Sequence, residues 1–130
     1  MRVLTFGTFD VFHIGHLRIL LRAKELGSTL IVGVSSDAMN FKKKRRLPIY
    51  PEHERMQIVA ALKCVDDTFL EESMEQKRQY LTENRADILV MGDDWVGRFD
   101  EFKDICEVLY LPRTLGVSTT ETIEKIRRYE

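Results

Sequence analysis

The chain has little cysteine: two residues in 130, Cys64 and Cys106, far apart in the sequence. That excludes a disulfide framework and any Cys pair at metal or redox spacing, and leaves buried, reduced thiols as the expectation. It also lacks an excess of either charge, with 20 Lys and Arg against 21 Asp and Glu. Nothing in that balance argues for general nucleic-acid binding, so no nucleic-acid partner is expected. No uncharged apolar run approaches the ~20 residues of a membrane span. Met1-Arg2-Val3 leads straight into a strand pattern, so no secretory signal is expected and a cytoplasmic location is. There is no internal repeat and no low-complexity segment beyond one basic run. What is there is 44% hydrophobic and 32% charged residues, the balance of one soluble domain over residues 1–130 with a single buried core.

Strand and helix signals alternate along it. Val3–Phe6 reads as a first strand and His16–Leu26 as a helix stopped by Gly27. Thr29–Ser35 is almost continuously apolar, as a strand buried on both faces should be. Ser36–Tyr50 has no core pattern and reads as a loop holding Lys42, Lys43, Lys44, Arg45 and Arg46 in unbroken succession. Pro51 opens a helix, where its missing N–H costs nothing, with Met56, Val59, Ala60 and Leu62 as the apolar stripe. Val65–Leu70 reads as a strand, Met74–Asn84 as a polar helix with Tyr80 and Leu81 inward, and Ile88–Met91 as a strand. Gly92–Asp100 reads as a loop, Phe102–Cys106 as a short helix and Val108–Leu111 as a strand closed by Pro112. Thr119 or Thr120 is the expected cap of a last helix, with Ile123 and Ile126 inward. This alternation predicts an α/β fold: one doubly wound, Rossmann-like parallel sheet of about five strands. Ligands of such sheets bind outside the carboxyl ends of the strands, near the switch in strand order.

Three stretches follow strands directly and so share that rim. In Phe6–His16, two histidines three apart sit on a strand-to-helix turn between Gly7 and Gly15. A helix start carries free N–H groups and partial positive charge, and imidazoles donate to phosphoryl oxygens whether neutral or protonated. The bland alternative is a pair of surface or capping histidines. A third is half a zinc set completed only by Asp10, and no dedicated metal site is expected. In Arg113–Thr120, hydroxyls and an arginine frame Gly116 at another helix start, which is either a phosphate nest or a plain N-cap. Asp93-Asp94 could be a magnesium-binding pair. The basic run is either a solvated loop or a mobile lid over the rim.

Gly7-Thr8-Phe9-Asp10 with His13-Ile14-Gly15-His16 resembles the signature of the HxGH nucleotidyltransferases. Arg113-Thr114-Leu115-Gly116-Val117-Ser118-Thr119-Thr120 resembles the RTxGxSTT signature of their cytidylyltransferase branch. Met91–Asp100 is similar to the corresponding stretch of those members that act on glycerol 3-phosphate. The likeness runs over nearly the whole chain. It implies transfer of CMP from CTP to a small phosphorylated alcohol, glycerol 3-phosphate first, or else another acceptor or an adenylyl transfer on the same fold. It also implies a homodimer, and Mg²⁺ is expected to arrive with CTP. Carried onto this sequence, the catalytic group is His13, His16, Arg113 and a lysine that is either Lys43 or Lys44. Nucleotide contacts fall to Thr8, Phe9, Asp10, Gly15, Arg113, Thr114, Gly116, Ser118, Thr119 and Thr120. Asp94 is favoured for the base, since a carboxylate can accept from the cytosine amine. Acceptor contacts fall to Arg45 or Arg46, with Arg55 and Lys77 as weaker candidates. A retired, purely regulatory nucleotide-binding domain is disfavoured, because it would have no chemical need for both intact motifs.

Overall fold

Alternate residues of the first strand, β1 (Arg2–Gly7), enter two different cores. Val3 packs with Leu20, Ala23 and Val59, while Leu4 and Phe6 pack with Leu81, Leu89 and Phe102. A strand that is apolar on both faces must be covered on both, and that dictates a sheet with helices on either side. The computed structural model, which describes residues 1–129, has this architecture. Strands β1, β2 (Thr29–Ser35), β3 (Asp67–Glu71), β4 (Ile88–Gly92) and β5 (Glu107–Leu111) form one all-parallel sheet in the order β3-β2-β1-β4-β5. Helices α1 (Ile14–Lys24) and α3 (Glu52–Ala60) supply the first core, and α4 (Lys77–Glu83) the second. The chain leaves β3 and crosses to the far side of β1 to make β4, so the order reverses beside β1. The rim above that reversal is where such sheets bind ligands.

Several elements differ from the sequence reading. The stretch Ser36–Tyr50 is not all loop: α2 (Asp37–Lys44) takes its first half, capped by the Ser36 hydroxyl accepting from the Met39 N–H. Straight-chain lysines are good helix formers, and a polar helix without an apolar stripe leaves no periodic trace. It ends at Arg45, which takes the left-handed conformation at φ 61°. Helix α1 begins at Ile14, inside the histidine motif, and β3 starts at Asp67. Two 3₁₀ turns, Asp93–Trp95 and Asp100–Asp104, stand in the Gly92–Asp100 loop and in place of the short Phe102–Cys106 helix. Ser118, and neither Thr119 nor Thr120, caps α5 (Thr119–Arg128). Ala60 and Ile126 face outward: Ile126 is 62% exposed, because α5 meets the body only near its start. Both cysteines are free thiols, with Cys64 buried.

Candidate active site

A cavity of about 460 Å³ opens at the carboxyl rim, within the range of small-molecule sites. Its floor is the turn after β1. Phe9 and Val11 there hold positive φ, 55° and 45°, which non-glycine residues adopt only when the surroundings impose it. What imposes it is Asp10 between them. Its carboxylate accepts the N–H of Ile49 at 2.7 Å, of Tyr50 at 2.9 Å and of Val11 at 3.1 Å. Its carbonyl accepts the Thr119 hydroxyl at 3.0 Å. One residue thus joins the histidine turn, the end of the basic segment and the start of α5.

Helix α1 begins with a reciprocal cap built from imidazoles. His13 is the N-cap, its Nδ1 accepting the Gly15 N–H at 3.1 Å, and His16 Nδ1 accepts the His13 N–H at 3.2 Å. The rings stack with centroids 3.8 Å apart at 22°. Phe9 and Phe12 flank His16 with ring centroids 5.4 and 5.2 Å away. A Cβ at position 15 would stand 2.9 Å from the His13 ring and push it aside, so glycine is needed there. Burial is the main cause that lowers both imidazole pKa values. Arg113 adds to it at His13, and His16 falls to about 4, with His13 adding and Asp10 opposing.

The opposite wall is the start of α5. Gly116, at φ 75°, turns the chain so that Ser118, Thr119 and Thr120 border the cavity. Arg113 stands at the mouth, half exposed, in a 3.4 Å pair with Asp94. Such an exposed pair is worth about 0–1 kcal/mol, so either partner can turn to a ligand at little cost.

Of the residues expected from sequence, the structure brings Thr8, Phe9, Asp10, His13, Gly15, His16, Lys44, Arg46, Asp94, Arg113, Thr114, Ser118, Thr119 and Thr120 to this cavity. Gly116 does not line it but turns the chain that does. The two alternative lysines are placed differently: Lys44 borders the cavity, while the Lys43 ammonium sits 4.2 Å over the Trp95 ring. Arg46 borders it and Arg45, the helix end, does not.

Two expected acceptor contacts need correction in placement. Arg55 is fully buried beneath the cavity, donating to the carbonyls of Tyr50, Thr8 and Ser35 and to the Asp37 carboxylate. Its guanidinium ties the frame together and presents nothing to the cavity. Lys77 is buried against Glu71, its ammonium 3.7 Å from the Phe6 ring centre and 5.2 Å from that of Phe99. Burial lowers the Lys77 pKa and raises that of Glu71. Lys77 borders a second cavity of about 250 Å³, with Met74 and Arg98, which Trp95 separates from the first. Sequence reasoning missed Asn40, whose buried amide accepts the Thr8 hydroxyl at 2.9 Å and donates to Ser35. It also missed Trp95 as a shared wall. A polar residue in a polar helix gave no signal for the first, and nothing in a lone tryptophan gave one for the second.

A doubly wound sheet with two helix starts, two imidazoles and several cations converging on its switch point defines an α/β enzyme that works on phosphate esters. The pattern of the cytidylyltransferase-like family matches residues 4–125, and the chain belongs to that family. It is 46% identical over 125 residues to glycerol-3-phosphate cytidylyltransferase of Bacillus subtilis, covering 96% of each chain. To the enzyme of the same name in Staphylococcus aureus it is 40% identical, over 96% of this chain and 94% of that one. Among solved structures, a lipopolysaccharide core biosynthesis protein from Thermoplasma volcanium superposes with a TM-score of 0.74 at 24% identity, covering 88% of this chain and 98% of that one, a likeness of fold.

Proposed function

We propose that this chain transfers CMP from CTP to glycerol 3-phosphate, giving CDP-glycerol and pyrophosphate. The observation that carries the reaction type is the convergence of the two histidines, Arg113 and the α5 start on one cavity of nucleotide size. The acceptor comes from the named activity of the relatives and from the cations at the cavity's edge.

An acceptor phosphate oxygen attacks the α-phosphorus, a new P–O bond forms, and the bond to pyrophosphate breaks. The nucleophile is already an anion, so no strong base is required. The difficulty is crowded negative charge, which calls for positioning and for donors aimed at the equatorial and leaving oxygens. In this reading His13 and His16 donate to the transferring phosphoryl group. Lys44, Arg113 and the Ser118–Thr120 helix start hold the β- and γ-phosphates. Asp94 reads the base. Arg46, which borders the cavity, is assigned the acceptor phosphate, which guanidinium can grip through two parallel hydrogen bonds. Arg98, exposed across Trp95, is the cation left for the acceptor's far end. Among the described residues no three His, Cys, Asp or Glu gather as a metal cage. Mg²⁺ is expected to arrive with CTP, and bound to the triphosphate it would supply charge neutralisation as pyrophosphate departs.

A homodimer fits the exposed apolar residues Ile14 and Leu21 on α1, each 45% exposed. Sedimentation at micromolar concentration tests it, and a stable monomer refutes it. No helix among the described residues is long and apolar enough to cross a membrane. CDP-glycerol would serve, in the cytoplasm, as the activated donor for teichoic acid or another glycerol-phosphate polymer.

The test is pyrophosphate release with CTP or ATP against glycerol 3-phosphate, phosphocholine, phosphoethanolamine and ribitol 5-phosphate. The highest kcat/KM is expected for CTP with glycerol 3-phosphate. A tenfold advantage for any other acceptor changes the substrate, and a preference for ATP changes the nucleotide.

A further inference from the structure

We propose that the cap of helix α1 fixes the proton of both histidines on Nε2, so that His13 and His16 act as neutral, pre-aimed N–H donors and neither as imidazolium cations nor as proton-transfer groups. The catalytic consequence rests on the nucleotidyl-transfer reading above, whereas the tautomer follows from the geometry alone.

A neutral imidazole carries one proton, and the nitrogen that accepts a hydrogen bond is the one without it. Both Nδ1 atoms accept backbone N–H groups, from Gly15 and from His13. The proton of each ring is therefore on Nε2. A second contact reads the same way at His13. The Thr119 hydroxyl lies 3.5 Å from His13 Nε2. Its own hydrogen is committed to the Asp10 carbonyl at 3.0 Å, so toward the ring it can only accept. The sequence of donors then runs from His13 Nε2–H to Thr119 to the Asp10 carbonyl, all in one direction. An incoming phosphoryl oxygen replaces Thr119 as a better acceptor.

The surroundings oppose the cationic form. Protonating either Nδ1 would set an N–H against a backbone N–H about 3 Å away and open the helix cap. The charged groups facing the rings are mostly cations: Arg113, with Lys44 and Arg46 across the cavity. Of the carboxylates, Asp10 is engaged by three backbone N–H groups and only partly offsets burial and the neighbouring His13 at His16, and Asp94 is paired with Arg113. Among the described residues neither ring is hydrogen-bonded to a carboxylate, the partner that stabilises imidazolium in hydrolase triads. The stacked rings, 3.8 Å apart, would also have to hold two like charges in contact. The depressed pKa of His16 agrees with this. During transfer one P–O bond forms and another breaks while both histidines keep their protons.

The test is a long-range ¹H–¹⁵N spectrum of the uniformly labelled, substrate-free protein at pH 7, with exposed His53 as the internal reference ring. His13 and His16 are expected to show an unprotonated Nδ1 and a protonated Nε2. An Nδ1–H tautomer or an imidazolium at either position overturns the proposal, whatever the protein's substrate. Two variants then separate the two jobs of His16. In His16→Asn the amide oxygen replaces the cap acceptor and no donor reaches the Nε2 position. In His16→Gln the amide nitrogen reaches toward the Nε2 position and the cap acceptor is lost. His16→Asn should melt near wild type with kcat reduced about 10²-fold or more, and His16→Gln should melt lower and keep the higher kcat of the two. If one variant is better in both stability and kcat, the division of labour between the two nitrogens is wrong. Absence of pyrophosphate release from the wild type would refute the reaction and leave the spectrum to decide the tautomer.

Discussion

The turn that carries His13 and His16 and the segment that carries Lys42 to Arg46 sit on the same rim, yet they are built in opposite ways. In the turn, backbone N–H groups hold the ring nitrogens, aromatic rings flank His16, and Asp10 is locked by three hydrogen bonds. The basic segment is anchored on one side by the Ser36 cap, the Asp37–Arg55 pair and the Asn40 amide, and on the other by the Asp10 bonds to Ile49 and Tyr50. Between those ends Lys42 through Leu47 are all exposed. A rigid dipole needs no reorganisation when charge develops, so it acts on the chemical step. A flexible cation gathers the substrate and loses side-chain entropy on doing so, so it acts on binding. The turn is therefore expected to govern kcat and the segment KM.

Breaking the frame that both regions share should have the largest effect. Arg55→Met leaves Asp37 and three carbonyls without their donor, at a cost of about 3–5 kcal/mol, enough to unfold a marginal domain. Urea unfolding should show a large loss of midpoint for Arg55→Met and almost none for Arg113→Met, which removes only a half-exposed pair. Equal losses would mean that Arg113 is also part of the frame. Next in size, His16→Ala should lower kcat by about 10²-fold, some 2.7 kcal/mol, with a modest change in the dissociation constant of CTP. Normal kcat with weakened CTP binding would place His16 among the binding groups and erase the distinction.

The turn should also make folding depend on pH. An unfolded histidine titrates near 6.5 and folded His16 near 4, so between these values the unfolded chain binds more protons. Stability is thus full above about pH 6.5 and declines as pH falls toward 4, by about 2 kcal/mol with His16 partly open to solvent. Denaturation at pH 7.5 and 4.5 should show this decline in the wild type and a smaller one in His16→Ala. An identical decline in both would assign it to other groups.

Much of this was legible in the sequence, and the failures have a common cause. Strand–helix alternation and an all-apolar Thr29–Ser35 were enough for a parallel sheet covered on both faces. The two motifs marked a rim because each directly follows a strand. Arg55 and Lys77 were misplaced because a cation near a phosphate motif invites a binding role. Each lies four residues before a buried apolar residue of its own helix, Val59 and Leu81. That spacing puts the cation on the inward face, and it was readable. Ser118 displaced Thr119 as cap because the Thr119 hydroxyl is needed at Asp10, a contact between residues 109 positions apart that no local pattern encodes. Helix α2 was hidden because it is held by its ends and by Asn40, without an apolar stripe.

The smallest effects lie inside the basic segment, where neighbouring lysines are placed differently. Lys44 borders the large cavity, and Lys43 rests on Trp95, with Arg98 5.4 Å from the same ring. Burial, Lys44 and Arg98 lower the Lys43 pKa against the pull of Glu71, so its ammonium is partly desolvated there. Loss of a direct phosphate contact by Lys44→Met should raise KM for CTP about tenfold, near 1.4 kcal/mol. Loss of one cation–π contact by Lys43→Met is worth about 0.5–1 kcal/mol and should change KM only two- to fivefold. Trp95 is the chain's single tryptophan, so its fluorescence reports this contact without labelling. If α2 moves when CTP binds, the ammonium leaves the ring and the emission changes. The change should persist in Lys44→Met at higher CTP concentration and shrink in Lys43→Met. A Lys43→Met variant with the larger KM effect, and an unchanged fluorescence response, would exchange the roles of the two lysines while leaving the assignment of the segment to binding intact.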